Sequence, residues 1–310
     1  MPEAPPLRIG IDLGGTKIAL SVLGETGEEL FARRMPTPRG DYQATIAAIG
    51  ALIAEAERHL GYTGRASIGI AMPGSISPAS GRVQNANSTW LNGAPFDADL
   101  AAHLGRPVRL ANDANCLALS EAADGAGEGA RSVFGVILGT GCGGGLVHAG
   151  RLIDGPRGIG GEWGHNPLPW PGLSETPGPA CWCGLAGCIE TWVSGPGLYR
   201  DYLAGGGIAV AASSAEQVVL LARNGDAAAE AALTRHASRL ARGLASVVNI
   251  FDPEIIVLGG GLSNLPHLYE QLPGLMRPFI FADDRGVPIR PPKHGDASGV
   301  RGAARLWDRA

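Results

Sequence analysis

The stretch "LRIGIDLGGTKIALSVLG" (Leu7–Gly24) predicts two strands joined by a tight glycine turn. It begins with a short apolar run, Leu7–Leu13, of the kind that forms buried strands. A second strand follows the turn at Gly14–Thr16. Much later, "RSVFGVILGTGCGGGLVHAGRLI" (Arg131–Ile153) repeats the order of strand, glycine turn and strand. This internal repetition predicts two α/β domains of similar plan.

The segments that follow the two hairpins are also paired. A helix predicted over Asp41–His59 by its apolar face precedes a strand in "RASIGIAMPG", which breaks at Pro73. A longer helix predicted over Ala227–Asn249 precedes the similar stretch "PEIIVLGGGLS". Shorter patterns predict a third strand in "GEELFARRMPT", a helix near Asp97, a strand that ends at Asn112 and a helix after it.

No linker marks the domain boundary, so we place it by the order of the predicted elements. The first domain is expected over residues 1–115 and the second over 116–297. The last segment, 298–310, has helical spacing and is expected to pack back on the first domain. Each domain would then carry one glycine hairpin at its first pair of strands.

The composition excludes several classes of protein. The chain has 310 residues, of which 45% are apolar and 17% are charged, with a net charge of −4. Such a balance is typical of a soluble globular protein and leaves no basic excess for a nucleic-acid surface. No run of about 18 apolar residues is present, so no membrane span is predicted. The start, "MPEAPPLRIGIDLGG", lacks the pattern of a signal peptide, and five mostly clustered cysteines favour a reducing cytoplasm.

Three glycine-rich turns resemble phosphate-binding motifs without matching them. Gly10–Lys17 lacks the Gly-Lys-Ser/Thr order of a P-loop, and a predicted strand rather than a helix follows it. Gly139–Gly145 contains the pattern Gly-x-Gly-x-x-Gly, but the residues after it lack the helical periodicity that a dinucleotide site requires. The third turn, Gly259–Gly261, precedes a predicted helix near Ser263. The sequence therefore predicts neither a Walker site nor a Rossmann site.

Both hairpins nevertheless suit the phosphates of a nucleotide. Glycines allow backbone N–H groups to approach phosphate oxygens, and Thr16 and Thr140 add hydroxyl donors. Two hairpins, one in each domain, could face each other across a cleft and hold the nucleotide between them. Asp12, at the end of the first strand, would then hold the Mg²⁺ that bridges the phosphates. The alternative is that both turns are tight hairpins and nothing more.

Polar residues at predicted strand ends suggest a second substrate. Asp113 follows Asn112 at the end of a strand, where ligands of open α/β sheets bind. It could orient a hydroxyl nucleophile and accept its proton during phosphoryl transfer, or it could merely cap the next helix. Asn, Asp, Glu and His side chains would satisfy the hydroxyls of a polyol. Candidates for that pocket are Asn85, Asn87, Asn112, Glu162, His165 and Glu190, with Trp90 either a pocket wall or a core aromatic.

A cysteine cluster lies in the second predicted domain. His165, Cys181, Cys183 and Cys188 have the composition of a closed structural zinc site. Disulfides are the competing use, but three cysteines cannot all pair among themselves, and the compartment is predicted to be reducing. Four protein ligands leave no open position on the metal. Zinc would therefore order the proline- and glycine-rich loop between the ligands rather than activate water.

With these residues in view, the chain resembles the ROK (repressor, ORF, kinase) sugar kinases, which have the actin/hexokinase-like, ribonuclease H-like α/β fold. The resemblance covers essentially the whole chain. It rests on the motifs "DLGGTK", "PGSISP", "ANDAN", "LGTGCGGG", "GEWGH", "CWCGLAGCIE" and "VLGGGLS". It implies transfer of the γ-phosphoryl group of ATP to a sugar hydroxyl, with Asp113 as the catalytic base and MgATP held by the two hairpins.

The same resemblance assigns a set of residues to each ligand. Sugar contacts are implied at Gly74, Asn87, Asn112, Glu162, His165 and Glu190. Contacts to ATP and Mg²⁺ are implied at Gly10, Asp12, Gly14, Gly15, Thr16, Lys17, Gly139, Thr140, Gly141, Gly143, Gly144, Gly145, Gly260 and Gly261. The implied zinc ligands are His165, Cys181, Cys183 and Cys188.

Within the family, "NANSTWLNG" and "GEWGHNPLPW" are most similar to the fructokinase (manno(fructo)kinase) branch. This implies conversion of D-fructose, and also mannose, to the 6-phosphate by a cytoplasmic homodimer. N-acetylglucosamine kinases are close in the same motifs, and glucokinases lie further off. A sugar-sensing transcriptional repressor would need several added DNA-binding helices, and the first predicted strand at Leu7 leaves no room for them. A sugar-binding protein without activity would lack the base, but Asp113 is present.

Overall fold

The hairpin at the start of the chain is built from β1 (Arg8–Leu13) and β2 (Lys17–Leu23). The structure is a computed structural model and describes residues 7–308. The antiparallel pairing runs from Arg8 opposite Leu23 to Leu13 opposite Ile18. Residues 1–6, which belong to the stretch without a predicted signal peptide, lie outside the described residues. So do residues 309–310, at the end of the predicted C-terminal helix.

The remaining strands and the helices follow in chain order. The strands are β3 (Glu29–Pro36), β4 (Ser67–Met72), β5 (Ser75–Ser77), β6 (Arg82–Gln84), β7 (Arg109–Asn112), β8 (Ser132–Leu138), β9 (Cys142–His148), β10 (Arg151–Leu152), β11 (Ile255–Gly259) and β12 (Ile289–Arg290). The helices are α1 (Tyr42–Leu60), α2 (Phe96–Leu104), α3 (Asp113–Asp124), α4 (Glu190–Val193), α5 (Gly195–Ala204), α6 (Ala215–Arg223), α7 (Ala227–Phe251), α8 (Pro266–Met276) and α9 (Ser298–Ala304). Within residues 7–308, none of these helices has the length and hydropathy needed to cross a bilayer.

The chain divides into two units, and it enters the first of them three times. The first unit holds residues 7–131, 145–161 and 293–308 of the described chain, and the second holds Ser132–Gly144 and Glu162–Pro292. The boundary predicted near residue 115 falls inside α3, whereas the division comes after Arg131. The C-terminal segment lies in the first unit. The return of 145–161 to that unit was not predicted.

The sheet of the first unit has the strand order β3-β2-β1-β4-β7. Strands β1, β4 and β7 are parallel, with Asp12 opposite Ala71 and Met72 opposite Asn112. The carboxyl ends of parallel strands share one edge of a sheet, where ligands of open α/β sheets bind. This register therefore brings the strand ends at Asp12 and Asn112 to the same edge.

Helix α9 packs directly on β1 and β4. A Cβ atom on Gly10 would collide with the carbonyl oxygen of Val300, and one on Gly69 would collide with that of Ala303. Glycine permits this approach of helix to sheet because it lacks a side chain. Gly10, implied as a phosphate contact, is thus buried within β1 beneath α9, and helix packing is the structural reason for a glycine there.

The first long helix closely matches its prediction over Asp41–His59. Helix α1 begins after Asp41, whose side chain accepts a hydrogen bond from the Ala44 N–H at 2.9 Å. It ends at Gly61, which has φ of 64° and so stops the helix in a left-handed conformation. The predicted apolar face, including Ile46, Ile49 and Ile53, is buried in the core of the first unit.

The second large sheet has the order β10-β9-β8-β11-β12, with β8, β11 and β12 parallel. The residues after the second glycine turn form β9, a strand as predicted, which confirms that the turn does not open a Rossmann helix. Helix α7, predicted over Ala227–Asn249, extends to Phe251. Asp226 caps it by accepting a hydrogen bond from the Ala229 N–H at 2.8 Å.

Candidate functional site

Asn112 and Asp113 stand at the junction of β7 and α3. The side chain of Asn112 accepts a hydrogen bond from the Ala114 N–H at 2.9 Å and donates one to the Gly74 carbonyl at 3.3 Å. Asp113 is the first residue of the helix, and its Oδ1 also accepts from the Ala114 N–H, at 2.8 Å. Asn112 is the N-cap, so capping by itself does not account for an aspartate at position 113.

Asp12 is a half-buried acid near the carboxyl end of β1. Burial raises its pKa because the charged carboxylate loses water, and Asp296 adds to the rise. The positive charges of Lys17 and Arg34 oppose the shift without cancelling it. A bound cation would offset the cost of burying this carboxylate, so the residue suits the magnesium role predicted for it.

The first glycine hairpin is closed by its own backbone and held by the strand beside it. The Gly14 N–H donates to the Lys17 carbonyl at 3.0 Å. Thr37, which follows β3, donates its N–H to the Thr16 carbonyl at 3.0 Å and its hydroxyl to the Gly14 carbonyl at 2.7 Å. Gly15 and Thr16 remain exposed at the tip, as a phosphate-binding turn requires.

The loop after β4 carries the other predicted sugar contacts of the first unit. Gly74 has φ of 72°, and a side chain there would collide with the Gln84 carbonyl, so a glycine is required. The side chain of Asn87 is exposed, and Asn85 adopts a left-handed conformation with φ of 58°. Trp90 packs against the hydrophobic core of the unit, as the core-aromatic interpretation predicts.

The second glycine hairpin is held by residues from outside its sheet. The Gly139 N–H donates to the Gly141 carbonyl at 3.0 Å, and the Gly195 N–H donates to the Gly139 carbonyl at 2.8 Å. The Cys142 N–H donates to Oε2 of Glu190 at 2.9 Å. Glu190, a predicted sugar contact, is therefore joined directly to a hairpin predicted to bind phosphate.

A cavity of about 480 Å³ lies beside this hairpin. It is lined by the hairpin, the starts of α5 and α6, and the turn after β11, through Gly139, Thr140, Gly195, Pro196, Tyr199, Ser213, Ser214, Ala215, Glu216, Gly261 and Leu262. The size lies within the range of small-molecule sites. Gly260, with φ of 82°, lets the third glycine turn pass against Leu138. The cavity can accept the nucleoside end of a nucleotide whose phosphates rest on the hairpin.

Helices α5 and α6 were not predicted from the sequence, and neither were Tyr199 and the Ser213–Glu216 part of this cavity. Signals were present. Ser194 caps α5 by accepting from the Gly197 N–H at 3.2 Å, and Ser214 caps α6 by accepting from the Gln217 N–H at 3.4 Å. A serine followed by proline at the first helical turn is a helix start that could have been recognised.

Glu162 precedes a short helical turn, Trp163–His165, and His165 is its last residue. The turn is fixed against β9. The indole N–H of Trp163 donates to the Gly143 carbonyl at 3.1 Å. Glu162 lies 4.0 Å from Nε2 of His165. Burial raises the pKa of Glu162, the charge of His165 opposes this, and the neighbouring charge of Glu190 adds to it. A carboxyl in such surroundings gains from hydrogen bonds to substrate hydroxyls.

The predicted metal ligands come together in the second unit. The ligand atoms of His165, Cys181, Cys183 and Cys188 all lie within 4.8 Å of one another. Nδ1 of His165 is 3.6 Å from the sulfur of Cys181, and the sulfurs of Cys183 and Cys188 are also 3.6 Å apart. Zinc bound to sulfur at about 2.3 Å in a tetrahedron would separate its ligands by similar distances. The donor set and its spacing fit zinc.

The two ring nitrogens of His165 lie near different groups. Nδ1 faces the cysteine cluster, whereas Nε2 is directed towards Glu162. Both a metal role and a sugar role are predicted for this residue from the sequence. Both roles are compatible with this orientation because each uses a different nitrogen.

A buried ion-pair network holds the loop between His165 and Cys181 at its middle. Glu175 accepts hydrogen bonds from Arg239 at 2.8 Å and from Arg242 at 2.7 Å and 2.9 Å. Although burial opposes it, these arginines lower the pKa of Glu175 to about 2. Both arginines belong to α7, so the loop is attached to the long helix independently of the cysteine cluster. We refer to these three residues as the arginine clamp.

The predicted site residues thus fall into two groups. The first unit holds Gly10, Asp12, Gly14, Gly15, Thr16, Lys17, Gly74, Asn87, Asn112, Asp113 and Gly145. The second unit holds Gly139, Thr140, Gly141, Gly143, Gly144, Glu162, His165, Cys181, Cys183, Cys188, Glu190, Gly260 and Gly261. Gly145 has a packing role, since a Cβ atom there would collide with the Ala114 carbonyl.

The chain is similar to ROK-family proteins and to sugar kinases over almost its whole length. The model of the ROK family matches residues 8–310. The N-acetyl-D-glucosamine kinase of Escherichia coli O6:H1 strain CFT073 is 42% identical over 304 residues, covering 96% of this chain and 98% of the relative. The crystal structure of the ROK hexokinase from Thermus thermophilus superposes with a TM-score of 0.83 at 36% identity, covering 96% of each chain. A ROK family glucokinase from Streptomyces griseus, in complex with glucose and AMPPNP, has a TM-score of 0.77 at 28% identity, covering 97% of this chain and 98% of the other.

Proposed function

Because the chain belongs to the ROK family, we propose that it is an ATP-dependent sugar kinase whose substrate is N-acetyl-D-glucosamine. The choice of sugar is supported by relatives of that name that align with nearly the whole chain. The motifs favoured D-fructose, with N-acetylglucosamine as the alternative, and the relatives favour the alternative. The motifs of the two branches are too similar to separate them, because the choice of sugar depends on the shape of the pocket.

One arrangement carries the proposal. In the second unit, Glu190 accepts a hydrogen bond from the second glycine hairpin. Glu162 and His165 lie at the two ends of a short turn that is hydrogen-bonded to β9 through Trp163. Polar groups suited to sugar hydroxyls are therefore held to the same backbone that would hold nucleotide phosphates. The adjoining cavity of about 480 Å³ would receive the nucleoside.

In the proposed reaction, a sugar hydroxyl attacks the γ-phosphorus of ATP. A new oxygen–phosphorus bond forms, and the bond between the γ-phosphorus and its bridging oxygen breaks to release ADP. Asp113 orients the hydroxyl and accepts its proton, while backbone N–H groups of the hairpins stabilise charge on the phosphoryl oxygens. The primary 6-hydroxyl is the expected acceptor because it is the least hindered hydroxyl of the sugar.

Two metals belong to the proposal. Asp12 would hold magnesium, which when bound with ATP neutralises negative charge on the phosphates. His165, Cys181, Cys183 and Cys188 would hold a structural zinc, which leaves no open position for substrate. The zinc would order the loop that ends at Glu190. A dimeric state and a cytoplasmic location, implied by the family resemblance, remain proposals of the same kind.

A substrate panel tests the function. Purified protein with MgATP is offered N-acetylglucosamine, N-acetylmannosamine, glucose, mannose and fructose, and ADP release is followed for each sugar. We expect the highest kcat/KM with N-acetylglucosamine and a product phosphorylated at the 6-position by NMR. A higher kcat/KM with fructose would return the assignment to the fructokinase branch, and no turnover on any of these sugars would remove the kinase proposal.

A further inference from the structure

The segment 165–188, which carries the four candidate metal ligands, is called the metal loop, and one of its tryptophans lies between two of those ligands. Trp182 separates Cys181 from Cys183 at the tip of a short turn. The turn is closed by hydrogen bonds from the Cys181 N–H to the Leu185 carbonyl at 2.8 Å and from the Gly184 N–H to the Cys181 carbonyl at 3.0 Å. Metal bound by the cysteines on both sides would therefore fix the backbone of Trp182.

The indole of Trp182 holds the carboxylate of Glu190. Its N–H donates to Oε1 of Glu190 at 2.7 Å, while Oε2 accepts from the Cys142 N–H at 2.9 Å. Each carboxylate oxygen thus has one protein donor and keeps a lone pair for a ligand hydroxyl. The two donors come from different segments, and together they set the direction in which Glu190 presents those lone pairs.

The ring of Trp182 is also placed beside the second predicted sugar contact of this loop. It meets the ring of His165 edge-on, with centroids 4.9 Å apart and planes at 89°. The side chain is nevertheless 63% exposed, which is a large apolar surface to leave in water. A sugar bonded to Glu190 and His165 would cover that surface, with its C–H groups against the ring.

We propose that Trp182 is a positioning residue for sugar binding: its N–H orients Glu190, and its exposed ring packs on the bound sugar. The inference deepens the proposed function and rests on it, since the ligand is taken to be a sugar. A hydrogen bond from a neutral donor to a carboxylate is charge-assisted and stronger than one between neutral groups. Phenylalanine would keep the ring and lose this donor.

Trp182→Phe, measured on the whole zinc-loaded protein, separates the N–H from the ring. We expect the KM for N-acetylglucosamine to rise about tenfold, as for loss of a hydrogen bond to a charged group. The KM for ATP, the zinc content and the Tm should stay close to those of the wild type. Trp170→Phe is the matched control, because Trp170 is 51% exposed in the same loop but stacks on Phe279 instead of contacting Glu190.

Two further measurements show whether Trp182 acts through Glu190. In a Glu190→Gln background, Trp182→Phe should raise the sugar KM by much less than tenfold, because the bond to the carboxylate has already been changed. Titration with sugar should change the tryptophan fluorescence of the wild type and of Trp170→Phe. The change should be largely lost in Trp182→Phe.

The outcomes distinguish this inference from the proposed function. A wild-type protein that neither binds nor phosphorylates any sugar of the panel would overturn both. An active wild type with an unchanged sugar KM in Trp182→Phe would overturn the inference alone. Loss of zinc from this variant, or an equal rise in the KM for ATP, would also overturn it, because Trp182 would then merely hold the loop together.

Discussion

The two glycine hairpins occupy matching places in their sheets, but different parts of the protein hold them. Thr37, beside β2 in the same sheet, fixes the first hairpin through Gly14 and Thr16. The second is fixed by Gly195 and Glu190, which lie beyond the metal loop in sequence. A change in the metal loop can therefore reach the second hairpin through Glu190. The first is supported by its own sheet.

The acidic residues of the two units also have different predicted roles. Asp12 and Asp113, in the first unit, stand where a cation and a proton would be handled, whereas Glu162 and Glu190, in the second, stand where hydroxyls would be bound. In the proposed function, the first unit carries the chemistry and the second carries most of the binding.

The largest expected effect comes from Asp113→Asn in the first unit. We expect kcat to fall by a factor of about 10² to 10⁴, as for loss of a general base, with a much smaller change in the sugar KM. The Tm should hardly change, because Asn112 already caps α3. Steady-state kinetics by ADP release and thermal melting measure both. Asp97→Asn, in the first turn of α2, is the control, and a near-normal kcat for Asp113→Asn would remove the residue as base.

A smaller effect is expected when the zinc proposed for the second unit is removed. The loop that carries His165 and leads to Glu190 would lose the metal that orders it, so we expect the sugar KM to rise about tenfold or more and the KM for ATP to rise less. The measurement is kinetics after chelation, with recovery on adding zinc and with metal content by elemental analysis. Cys188→Ser should reproduce the loss, and Cys116→Ser, outside the cluster, should not. A metal-free protein with normal sugar KM would contradict the link between the metal and Glu190.

The smallest effect concerns the stability of the first unit. Burial raises the pKa of Asp12, so its carboxylate destabilises the fold once the pH exceeds the folded-state pKa. Stability from the protonated acid is present at low pH and is lost as the pH rises through that value. Asp12→Asn should therefore raise the Tm by a few degrees at pH 7 without magnesium, and the gain should shrink towards pH 4. An equal gain at both pH values, or none, would contradict this origin.

Much of the fold could be predicted because its signals are local. The apolar runs of β1 and β4, the apolar face of α1 and the length of α7 are all patterns within one segment. The return of 145–161 to the first unit depends on contacts between distant segments, which no local pattern records. Each of the helices α5 and α6 follows a serine cap, in the sequences Ser-Gly-Pro and Ser-Ala-Glu. Serine, glycine and proline are also common in loops, so these caps were not distinguished from turn residues.

In the candidate site, too, the sequence predicts local patterns but not the contacts between segments. The spacing of Cys181, Cys183 and Cys188 predicts a cluster, and the structure brings their ligand atoms together with that of His165. The bond from Trp182 to Glu190 depends on how the turn between the cysteines is directed, which spacing does not determine. The same holds for the sugar, because its choice depends on the shape of the pocket, which a sequence motif does not record.

The arginine clamp has a consequence for how the proposed zinc would rebind after its loss. Glu175 divides the chain between His165 and Cys181 into two shorter tethers, each anchored to α7. The entropy of closing a loop grows with its length, so short tethers keep the four ligands at a high effective concentration of one another. An emptied cluster would therefore search a small volume before it closes again on zinc. In this way, a largely buried carboxylate that touches neither metal nor substrate would speed the rebinding of zinc to an emptied site.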